Sequence, residues 1–376
     1  MEFRDLGKQY ANMKTQIDQG IQEVLNSAHF IQGNQVKDLE KKLADYVGVK
    51  HCITCANGTD ALQLALMAWN IGPGDAVFVP DFTFFSSGEV VSTVGATPIF
   101  VDVDMDTYNI SIESLQKMID KTIAEGKLNP KVIIAVDLFG QPAEYDAIRK
   151  IADKYQMYVL EDGAQGFGGR INDAKACSFG DIATTSFFPA KPLGCYGDGG
   201  AIFTDDDEWA ALLQSLKVHG KGESKYDNVR IGMNSRLDTI QAAVLLAKLP
   251  IFAEKELEEE DKLAKFYTDK LHNVVKTPIV KEDYFSSWAQ YTIQLKNQEE
   301  RDGLQKFLKE SGIPTAVYYQ KPMHQQKAFQ EYKYADEDYE NTIQLSKTVL
   351  SLPFHPYMDK ENAEKVVNKI IEYLEK

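Results

Sequence analysis

Residues 186–200 read Ser-Phe-Phe-Pro-Ala-Lys-Pro-Leu-Gly-Cys-Tyr-Gly-Asp-Gly-Gly and place one lysine, Lys191, between an aromatic approach and a glycine-rich exit. Most lysines are solvated surface groups, but one that neighbours Phe187, Phe188 and Leu193 should be desolvated. Desolvation lowers the pKa of an amine and makes it a better nucleophile towards an aldehyde. The glycines that follow leave the backbone room to pass close to a bound ring. The segment therefore predicts a buried nucleophilic lysine beside a ligand.

A carboxylate is expected near the same ligand, because the apolar run of residues 157–162 ends on Asp162. At the end of a buried strand this carboxylate could keep a pyridine nitrogen protonated, which makes the ring an electron sink. The alternative is that Asp162 caps the next helix. Gln165, three residues further on, could hydrogen-bond a phenolic oxygen of the same ring.

A phosphate site is predicted where Asn57 precedes what looks like a helix, since the N–H groups of Gly58 and Thr59 would lie at its positive end. Ser186 could add a hydroxyl donor, although a serine here could equally cap a turn. Phe84 offers an aromatic face to stack on a ring, although core packing is the commoner fate of phenylalanine.

Together these residues predict a pyridoxal phosphate site: a lysine for the Schiff base, a carboxylate for the pyridinium nitrogen and a helix start for the phosphate. No Gly-x-Gly-x-x-Gly follows the first predicted strand, which argues against a nicotinamide-binding fold. Cys52 and Cys55 form a Cys-x-x-Cys pair without a second pair to complete a zinc site, so we expect no metal.

Composition and charge limit which class of protein, which partners and which compartment the sequence allows. The 376 residues are 44% hydrophobic and 26% charged, as in soluble globular proteins. A net charge of -15 argues against a nucleic-acid partner. We find no signal peptide and no apolar stretch of the ~20 residues that a membrane span needs. Four cysteines in so long a chain suggest a reducing compartment, so we expect a cytoplasmic protein that does not enter a membrane.

The pattern along the chain predicts an α/β fold with two domains. Residues 1–250 would form a large domain with an N-terminal arm and a mostly parallel central sheet, and residues 251–376 a small α+β domain. Short, continuously apolar runs typical of doubly covered parallel strands lie at residues 77–80, 97–102, 132–136 and 158–160. In the small domain we expect a half-exposed strand over 289–295, a helix around 304–308, a strand over 315–319 and a terminal helix over 363–374. The charge run at 254–262 reads as a solvated helix face.

Five segments in combination resemble the DegT/DnrJ/EryC1/StrS family of pyridoxal phosphate-dependent sugar aminotransferases, which have the aspartate aminotransferase fold (fold type I). These segments are residues 58–62, 83–84, 161–165, 186–200 and 232–238. The likeness extends from Phe3 to Pro353, nearly the whole chain.

The resemblance implies a role for each residue. Lys191 would form the Schiff base and move protons in both halves of the reaction. The cofactor-binding set would be Gly58, Thr59, Phe84, Asp162, Gln165, Ser186, Lys191 and Asn234. Asn234 would reach the phosphate of the neighbouring subunit's cofactor, which implies a homodimer with shared active sites. Glutamate would donate the amine and leave the cofactor as pyridoxamine phosphate, and a nucleotide-linked keto sugar would accept it.

A narrower resemblance, carried by residues 188–200 and 234–239, is to members that aminate the 3-keto group of UDP-2-acetamido-2-deoxy-hexuronate for surface polysaccharide such as O-antigen or capsule. Arg236 would suit the uronate carboxylate, since bidentate pairing is strong, or it could form a structural ion pair. Phe30, Tyr318 and His324 lie in segments that approach the sugar or nucleotide in the family.

Three alternatives remain open at this point. Relatives that act on 4-keto or 3-keto 6-deoxy dTDP- or UDP-sugars share most of these residues. Sugar dehydratases on the same fold have histidine in place of the lysine, and the presence of Lys191 argues against that class. A non-catalytic regulatory protein that binds the cofactor is the third alternative, and the full set of cofactor residues argues against it.

Overall fold

The structure is a computed structural model, and it describes residues 1–224 and 226–375. The helices are α1 Leu6–Ser27, α2 Asn34–Val47, α3 Gly58–Ala68, α4 Ser86–Thr93, α5 Ile112–Glu125, α6 Tyr145–Tyr155, α7 Asp207–Leu216, α8 Thr239–Ile251, α9 Leu257–Leu271, α10 Gln298–Glu310, α11 Glu340–Thr348 and α12 Lys360–Leu374. The strands are β1 His51–Cys55, β2 Asp75–Pro80, β3 Thr97–Val101, β4 Asn129–Val136, β5 Tyr158–Asp162, β6 Arg170–Ile171, β7 Ala174–Lys175, β8 Ile182–Ser186, β9 Gly200–Thr204, β10 Tyr284–Phe285, β11 Tyr291–Gln294 and β12 Val349–Leu352.

Within the described residues, seven strands form the central sheet in the order β1-β9-β8-β5-β4-β2-β3. Strands β8, β5, β4, β2 and β3 run parallel to one another, while β9 runs antiparallel to both of its neighbours. Helices pack on the sheet and bury it, which explains why the strands read as continuous apolar runs. The predicted α/β fold with a mostly parallel central sheet is confirmed.

The parallel strands bring the predicted chemistry to one edge of the sheet. Strand β5 ends on Asp162 and its neighbour β8 ends on Ser186, and the register pairs Asp162 with Thr184. Helix α3, which begins at Gly58, contacts β8 and β9. Because parallel strands share the edge at which their carboxyl ends lie, residues from distant parts of the sequence meet there.

Two predictions for the C-terminal part are wrong. Residues 315–319 do not form a strand; their ladder contact is a single bridge between Ala316 and Ser351. Strand β11 is buried on both faces rather than half exposed. Its polar face packs against the large sheet's loops, where the Thr292 carbonyl accepts a hydrogen bond from Tyr108 at 3.3 Å. An alternating strand is half exposed only when nothing covers its polar face.

The residues after 250 contain a core of their own, built from α9, α10, α12 and the β11–β12 pair. Phe329, Tyr339 and Leu345 nevertheless pack into the core of the large sheet. Helix α8 also continues into α9 through a π-helical turn, Phe252–Glu256. The predicted boundary at residue 250 therefore falls within a continuous helical segment, and the division into 1–250 and 251–376 stays a prediction.

The charge run at 254–262 is only partly solvated, which corrects the expectation of an exposed helix face. Glu256 and Glu260, one turn apart, are 2% and 1% exposed. Gln9 donates to Glu256 at 2.9 Å, and Tyr357 donates to the same oxygen at 2.7 Å. Arg4 lies 3.3 Å from Glu260. These contacts attach the N-terminal segment to the start of α9.

The ion pair between Arg4 and Glu260 predicts a pH-dependent stability. Burial raises the pKa of Glu260 to about 8, against the opposing effect of Arg4. The unfolded chain loses this proton first, so stability falls as the pH rises from about 4.5 to about 8 and then levels off. In Arg4→Met the pKa of Glu260 rises further, so the stability of the variant continues to fall above pH 8. We expect the variant to lose up to about 1.4 kcal/mol relative to the native protein for each pH unit above 8, measured by denaturant unfolding.

Lys8→Met is the control, because the ion pair of Lys8 with Asp359 lies at the surface, with side chains 47% and 50% exposed. Surface pairs contribute about 0–1 kcal/mol. A constant difference between Arg4→Met and the native protein from pH 6 to pH 10 would contradict the buried pair.

Candidate active site

Lys191 lies in the loop that follows β8, and its amine is buried. The Lys191 backbone N–H donates to the Phe188 carbonyl at 2.8 Å, and the Cys195 N–H donates to the Phe187 carbonyl at 2.7 Å. The buried Lys248 ammonium donates to the Gly194 carbonyl from the far side of the loop. Burial lowers the pKa of the Lys191 amine, and Asp162 opposes this shift. The loop is thus fixed around an amine that readily loses its proton, as predicted for a nucleophile.

Asp162 is 5% exposed and lies close enough to Lys191 that each group shifts the pKa of the other. Burial raises the pKa of Asp162, while the Ser87 hydroxyl, Lys191 and the Ala164 N–H favour its charged form. The hydroxyl donates to Oδ2 at 2.7 Å, and the N–H of Ala164 donates to Oδ1 at 3.2 Å. Asp162 ends its strand as predicted, and these contacts orient a carboxylate that could keep a ring nitrogen protonated.

Gln165 follows in the same turn and is held at both ends of its amide. Its Oε1 accepts from the Phe139 N–H at 2.8 Å, and its Nε2 donates to the Tyr319 hydroxyl at 3.1 Å. A side-chain amide carries two N–H donors, so this arrangement leaves one hydrogen on Nε2 for a ligand oxygen. The geometry is compatible with the predicted contact to the ring.

The start of α3 has the geometry that the predicted phosphate site needs. The N–H groups of Gly58 and Thr59 have no acceptor within their helix, as at any helix start, and the Asn57 side chain accepts from Asp60 N–H at 2.8 Å. A Cβ on Gly58 would lie 2.8 Å from the Cβ of Ser186, so only glycine lets the helix start approach the end of β8 this closely. These groups fit a dianion at a helix N-terminus.

Two aromatic side chains at the site are unusually exposed. Phe84 and Phe188 expose 54% and 53% of their surfaces. The Phe84 ring lies 6.4 Å from that of Tyr319, centroid to centroid. An exposed ring beside a buried lysine is where a planar ligand could stack, in line with the expectation for Phe84.

Asn234 and Arg236 point outward from a segment that is anchored in its own chain. The buried Ser235 between them accepts a hydrogen bond from the Ala56 N–H at 3.0 Å, just before α3. The Arg236 guanidinium donates to the side-chain oxygen of the exposed Asn234. Over residues 1–224 and 226–375, Arg236 forms no ion pair, with Asp238 or any other acid. Its charge is therefore available for a substrate anion.

The three residues predicted to approach the substrate have different environments. Phe30 is 46% exposed, with its carbonyl bound by the Thr239 N–H at 2.9 Å. Tyr318 packs edge-on against Phe3, at 6.4 Å between ring centroids. Its neighbour Tyr319 is the tyrosine that contacts Gln165. This hydrogen bond brings residue 319 to Gln165, and the substrate contact of Tyr318 stays a prediction.

His324 has both ring nitrogens engaged by carboxylates. Its Nδ1 lies 2.6 Å from Asp81 and its Nε2 lies 3.0 Å from Asp336, while the ring stacks on Tyr339. Burial lowers the pKa of His324, and the two carboxylates outweigh it, so the pKa is raised overall. No nitrogen is left for a substrate. This geometry corrects the expected substrate contact and gives His324 a structural role between β2 and the segment before α11.

Sequence reasoning missed Ser87, which orients Asp162, and it did not predict that Tyr319 contacts Gln165. A serine and a tyrosine carry no motif of their own, and only the packing of α4 and of residues 318–319 on the strand ends reveals their roles. The structure describes no group of three or more His, Cys, Asp or Glu side chains that could hold a metal ion. None of the helices in the described ranges is long and apolar enough to span a bilayer.

The fold and this site define an aminotransferase of a known family. The DegT/DnrJ/EryC1/StrS aminotransferase family matches residues 11–371, and the chain belongs to it. The crystal structure of a DegT/DnrJ/EryC1/StrS aminotransferase from Brucella abortus superimposes with a TM-score of 0.97 and 49% identity, covering 100% of both chains.

Two curated relatives are similar over nearly the full length. The UDP-2-acetamido-2-deoxy-3-oxo-D-glucuronate aminotransferase of Pseudomonas aeruginosa is 46% identical, covering 96% of this chain and 96% of its own. A protein of Geobacillus stearothermophilus named as a pleiotropic regulatory protein is 40% identical, covering 98% of this chain and 97% of its own.

The hydrogen bond from Ser87 to Asp162 yields a prediction. In Ser87→Ala the pKa of Asp162 should rise, because the hydroxyl favours the charged form. We expect the affinity for pyridoxal phosphate to fall roughly tenfold, as for the loss of a hydrogen bond to a charged group. The loss should grow as the pH falls, because the carboxylate is then protonated earlier. Titration of the cofactor by absorbance at several pH values measures this.

Ser92→Ala is the matched control, since Ser92 lies on the same helix with its hydroxyl 3.1 Å from that of Tyr332. The control should bind the cofactor as the native protein does. A loss in Ser87→Ala that is equal at every pH would show that the hydroxyl does not act through the charge of Asp162.

Proposed function

We propose that the chain transfers an amino group from glutamate to the 3-keto group of UDP-2-acetamido-2-deoxy-hexuronate, for the synthesis of a surface polysaccharide such as O-antigen or capsule. The class of enzyme follows from the family: it is a pyridoxal phosphate-dependent transaminase that acts on a nucleotide-linked keto sugar. The observation that carries this class at the site is the buried Lys191 amine beside the Asp162 carboxylate.

The residues of the site would divide the work as follows. Pyridoxal phosphate supplies an aldehyde for the amine and a ring that accepts electrons. Asp162 would hold the ring nitrogen in its protonated form, and the start of α3 with Ser186 would hold the phosphate. Lys191, with its lowered pKa, can bind the aldehyde carbon and can give or take a proton more readily than an exposed lysine.

Arg236 supports the uronate as the acceptor. A guanidinium without a carboxylate partner among the described residues suits a substrate carboxylate, and bidentate pairing of the two is strong. The 46% identical relative from Pseudomonas aeruginosa is named for a 3-oxo-glucuronate substrate, which agrees with this charge.

A homodimer with shared active sites is part of the proposal. Several side chains that lie near Lys191 or on the segment that leads to Arg236 are exposed: Phe84, Phe188, Asn234 and the apolar Ile231. Ile231 is 88% exposed. A second copy that covered these side chains would remove them from water and bring its Asn234 towards the phosphate. We place the reaction in the cytoplasm, where nucleotide sugars and glutamate are available.

The regulatory alternative is not favoured by the site. A protein that only bound the cofactor would have no need of a buried lysine whose pKa is lowered and of a carboxylate oriented by Ser87. Neutral 3-keto and 4-keto sugars on UDP or dTDP remain the alternative acceptors, and the substrate experiment separates them.

Replacement of Arg236 tests the acceptor. Arg236→Gln should lower kcat/KM for the UDP-linked 3-keto uronate by about 100-fold, the loss expected for a charge-assisted pair. Turnover of a neutral 3-keto nucleotide sugar should change by less than about threefold. Amino-sugar formation from glutamate, followed by chromatography with both acceptors, measures the two ratios.

Arg230→Gln is the control, because Arg230 lies on the same segment and its guanidinium donates to Ser215 of the same chain. Equal losses for both acceptors in Arg236→Gln would give Arg236 a structural role. A native enzyme that prefers the neutral sugar would overturn the uronate proposal and leave the enzyme class intact.

Mixed dimers test whether the site is shared. Lys191→Ala and Asn234→Ala should each be inactive or nearly so. In a mixed dimer one site would contain both mutations, and the other would contain the native lysine of one chain and the native asparagine of its partner. We therefore expect activity to return when the two variants are refolded together or co-expressed, to at most half of the native value per mixed dimer.

Recovery of activity in the mixed dimer shows whether Asn234 serves the partner's site or the site of its own chain. If Asn234 served the site of its own chain, each site of the mixed dimer would carry one mutation and no activity would return. Mixing Lys191→Ala with a Ser186→Ala variant is the control, since both residues would belong to one chain's site and no recovery is expected.

A further inference from the structure

Two acids that the proposed reaction does not use lie directly behind Asp162. Asp137 follows the end of β4, and Glu161 lies in β5 next to Asp162. Both are completely buried, at 0% exposure. The Asp137 N–H donates to the Asp162 carbonyl at 3.1 Å, so the two acids are part of the same strand ends that carry the site. Burial of two carboxylates without compensation would be very costly.

Glu161 is surrounded by donors. Its Oε1 accepts from the Cys177 N–H, and its Oε2 accepts from the N–H groups of Phe179 at 2.8 Å and Gly180 at 3.1 Å. Three N–H groups that donate to both oxygens favour the charged form of this carboxyl, which is acceptor-only, over the protonated form. Glu161 is therefore the carboxylate of the pair.

Asp137 has one satisfied oxygen and one that lacks a partner. Its Oδ1 accepts from the Tyr145 hydroxyl at 2.7 Å and from the Ala143 N–H at 3.0 Å. Its Oδ2 is buried and accepts no hydrogen bond from a donor among the described residues, and the carboxyl lies close enough to Glu161 that each shifts the pKa of the other. A buried carboxyl oxygen that lacks a donor and lies beside a second carboxyl is satisfied when it carries a proton and donates it to that neighbour.

The charges around the pair also favour a charged Glu161 and a protonated Asp137. The titratable groups that face it are Tyr145 on α6, Cys177 before β8 and Tyr284 on β10. None of these groups is a cation. Burial raises the pKa of Asp137, and the nearby Glu161 raises it further. Burial raises the pKa of Glu161 to about 7, against the opposing effect of the three N–H groups, so Glu161 is the more acidic member of the pair.

We propose that Asp137 is a neutral carboxylic acid whose Oδ2–H donates to the Glu161 carboxylate, and that this pair positions the turn of residues 162–166. The end of this turn, Gly166, is in contact with Asp137, since a methyl group on Gly166 would overlap the Asp137 carboxyl. Asp162 and Gln165 lie in the same turn. Asp137 is thus a positioning residue, and this second part rests on the proposed function, in which Asp162 and Gln165 contact the cofactor.

Asp137→Asn tests the proton in the full-length protein. The amide can donate to Glu161 and still accept from Tyr145 and Ala143, so it reproduces the neutral acid. The native protein must retain a proton that the unfolded chain loses above about pH 4, so its stability falls with rising pH relative to the variant. We expect the ratio of native to variant unfolding constants to rise about tenfold per pH unit between about pH 5 and pH 7.

Asp120→Asn provides the baseline, because the exposed Asp120 also accepts a hydrogen bond from a tyrosine hydroxyl, that of Tyr155, at 2.8 Å. Infrared difference spectra at neutral pH, native minus Asp137→Asn, add a second measurement: they should contain a protonated carboxyl band, because the protonated Glu260 is common to both proteins and cancels. A pH-independent ratio or a missing band would overturn the neutral acid. Neither measurement depends on the cofactor.

The positioning role is tested by cofactor affinity and by the absorption of the bound cofactor. Asp137→Asn should bind pyridoxal phosphate within about threefold of the native protein. Asp137→Ala and Glu161→Gln should lose more than about tenfold and shift the absorption band, because the turn loses its support. Native affinity in both disruptive variants would overturn this role. If the native protein itself binds no pyridoxal phosphate, the proposed function fails and the proton measurements still stand.

Discussion

Lys191 and Asp162 are held out of water at neighbouring strand ends, and neither charge could be buried at low cost without the other. Each group's electrostatic effect on its partner opposes the effect of burial. Neighbouring residues hold both groups in place. The Ser87 hydroxyl donates to the Asp162 carboxylate, and Lys248 donates to the loop that carries the Lys191 amine. The chemistry of the enzyme depends on this desolvated pair.

The same edge of the sheet contains a second layer of buried polar groups. Asp137 and Glu161 lie behind the turn that presents Asp162, with Tyr145 and three backbone N–H groups as partners. Such networks are stable only when every donor and acceptor is matched, and a matched network holds its members in one geometry. The backbone hydrogen bond from Asp137 to Asp162 connects this layer to the turn that presents Asp162.

The sequence predicted the central sheet well, for an identifiable reason, while its set of cofactor residues stays a prediction. Strands buried on both faces leave continuous apolar runs, and Asp162 stands at the end of one of them. Lys191 is conspicuous because its neighbours are aromatic. The same reasoning failed for Glu256 and Glu260, which the local charge pattern predicts to be solvated. The N-terminal segment, about 250 residues away in the sequence, covers them in the folded chain.

The sequence alone determined the family and the class of fold, and it carried the proposal that Lys191 is the nucleophile and Asp162 the partner of the pyridinium nitrogen, because these features are encoded in local patterns and short motifs. Only the tertiary structure decided which side chains serve them. It placed Tyr319 against the Gln165 amide, fixed His324 between two carboxylates and placed Asp137 beside Glu161. These contacts join residues far apart along the chain, and their energies depend on distances and burial that no local pattern records.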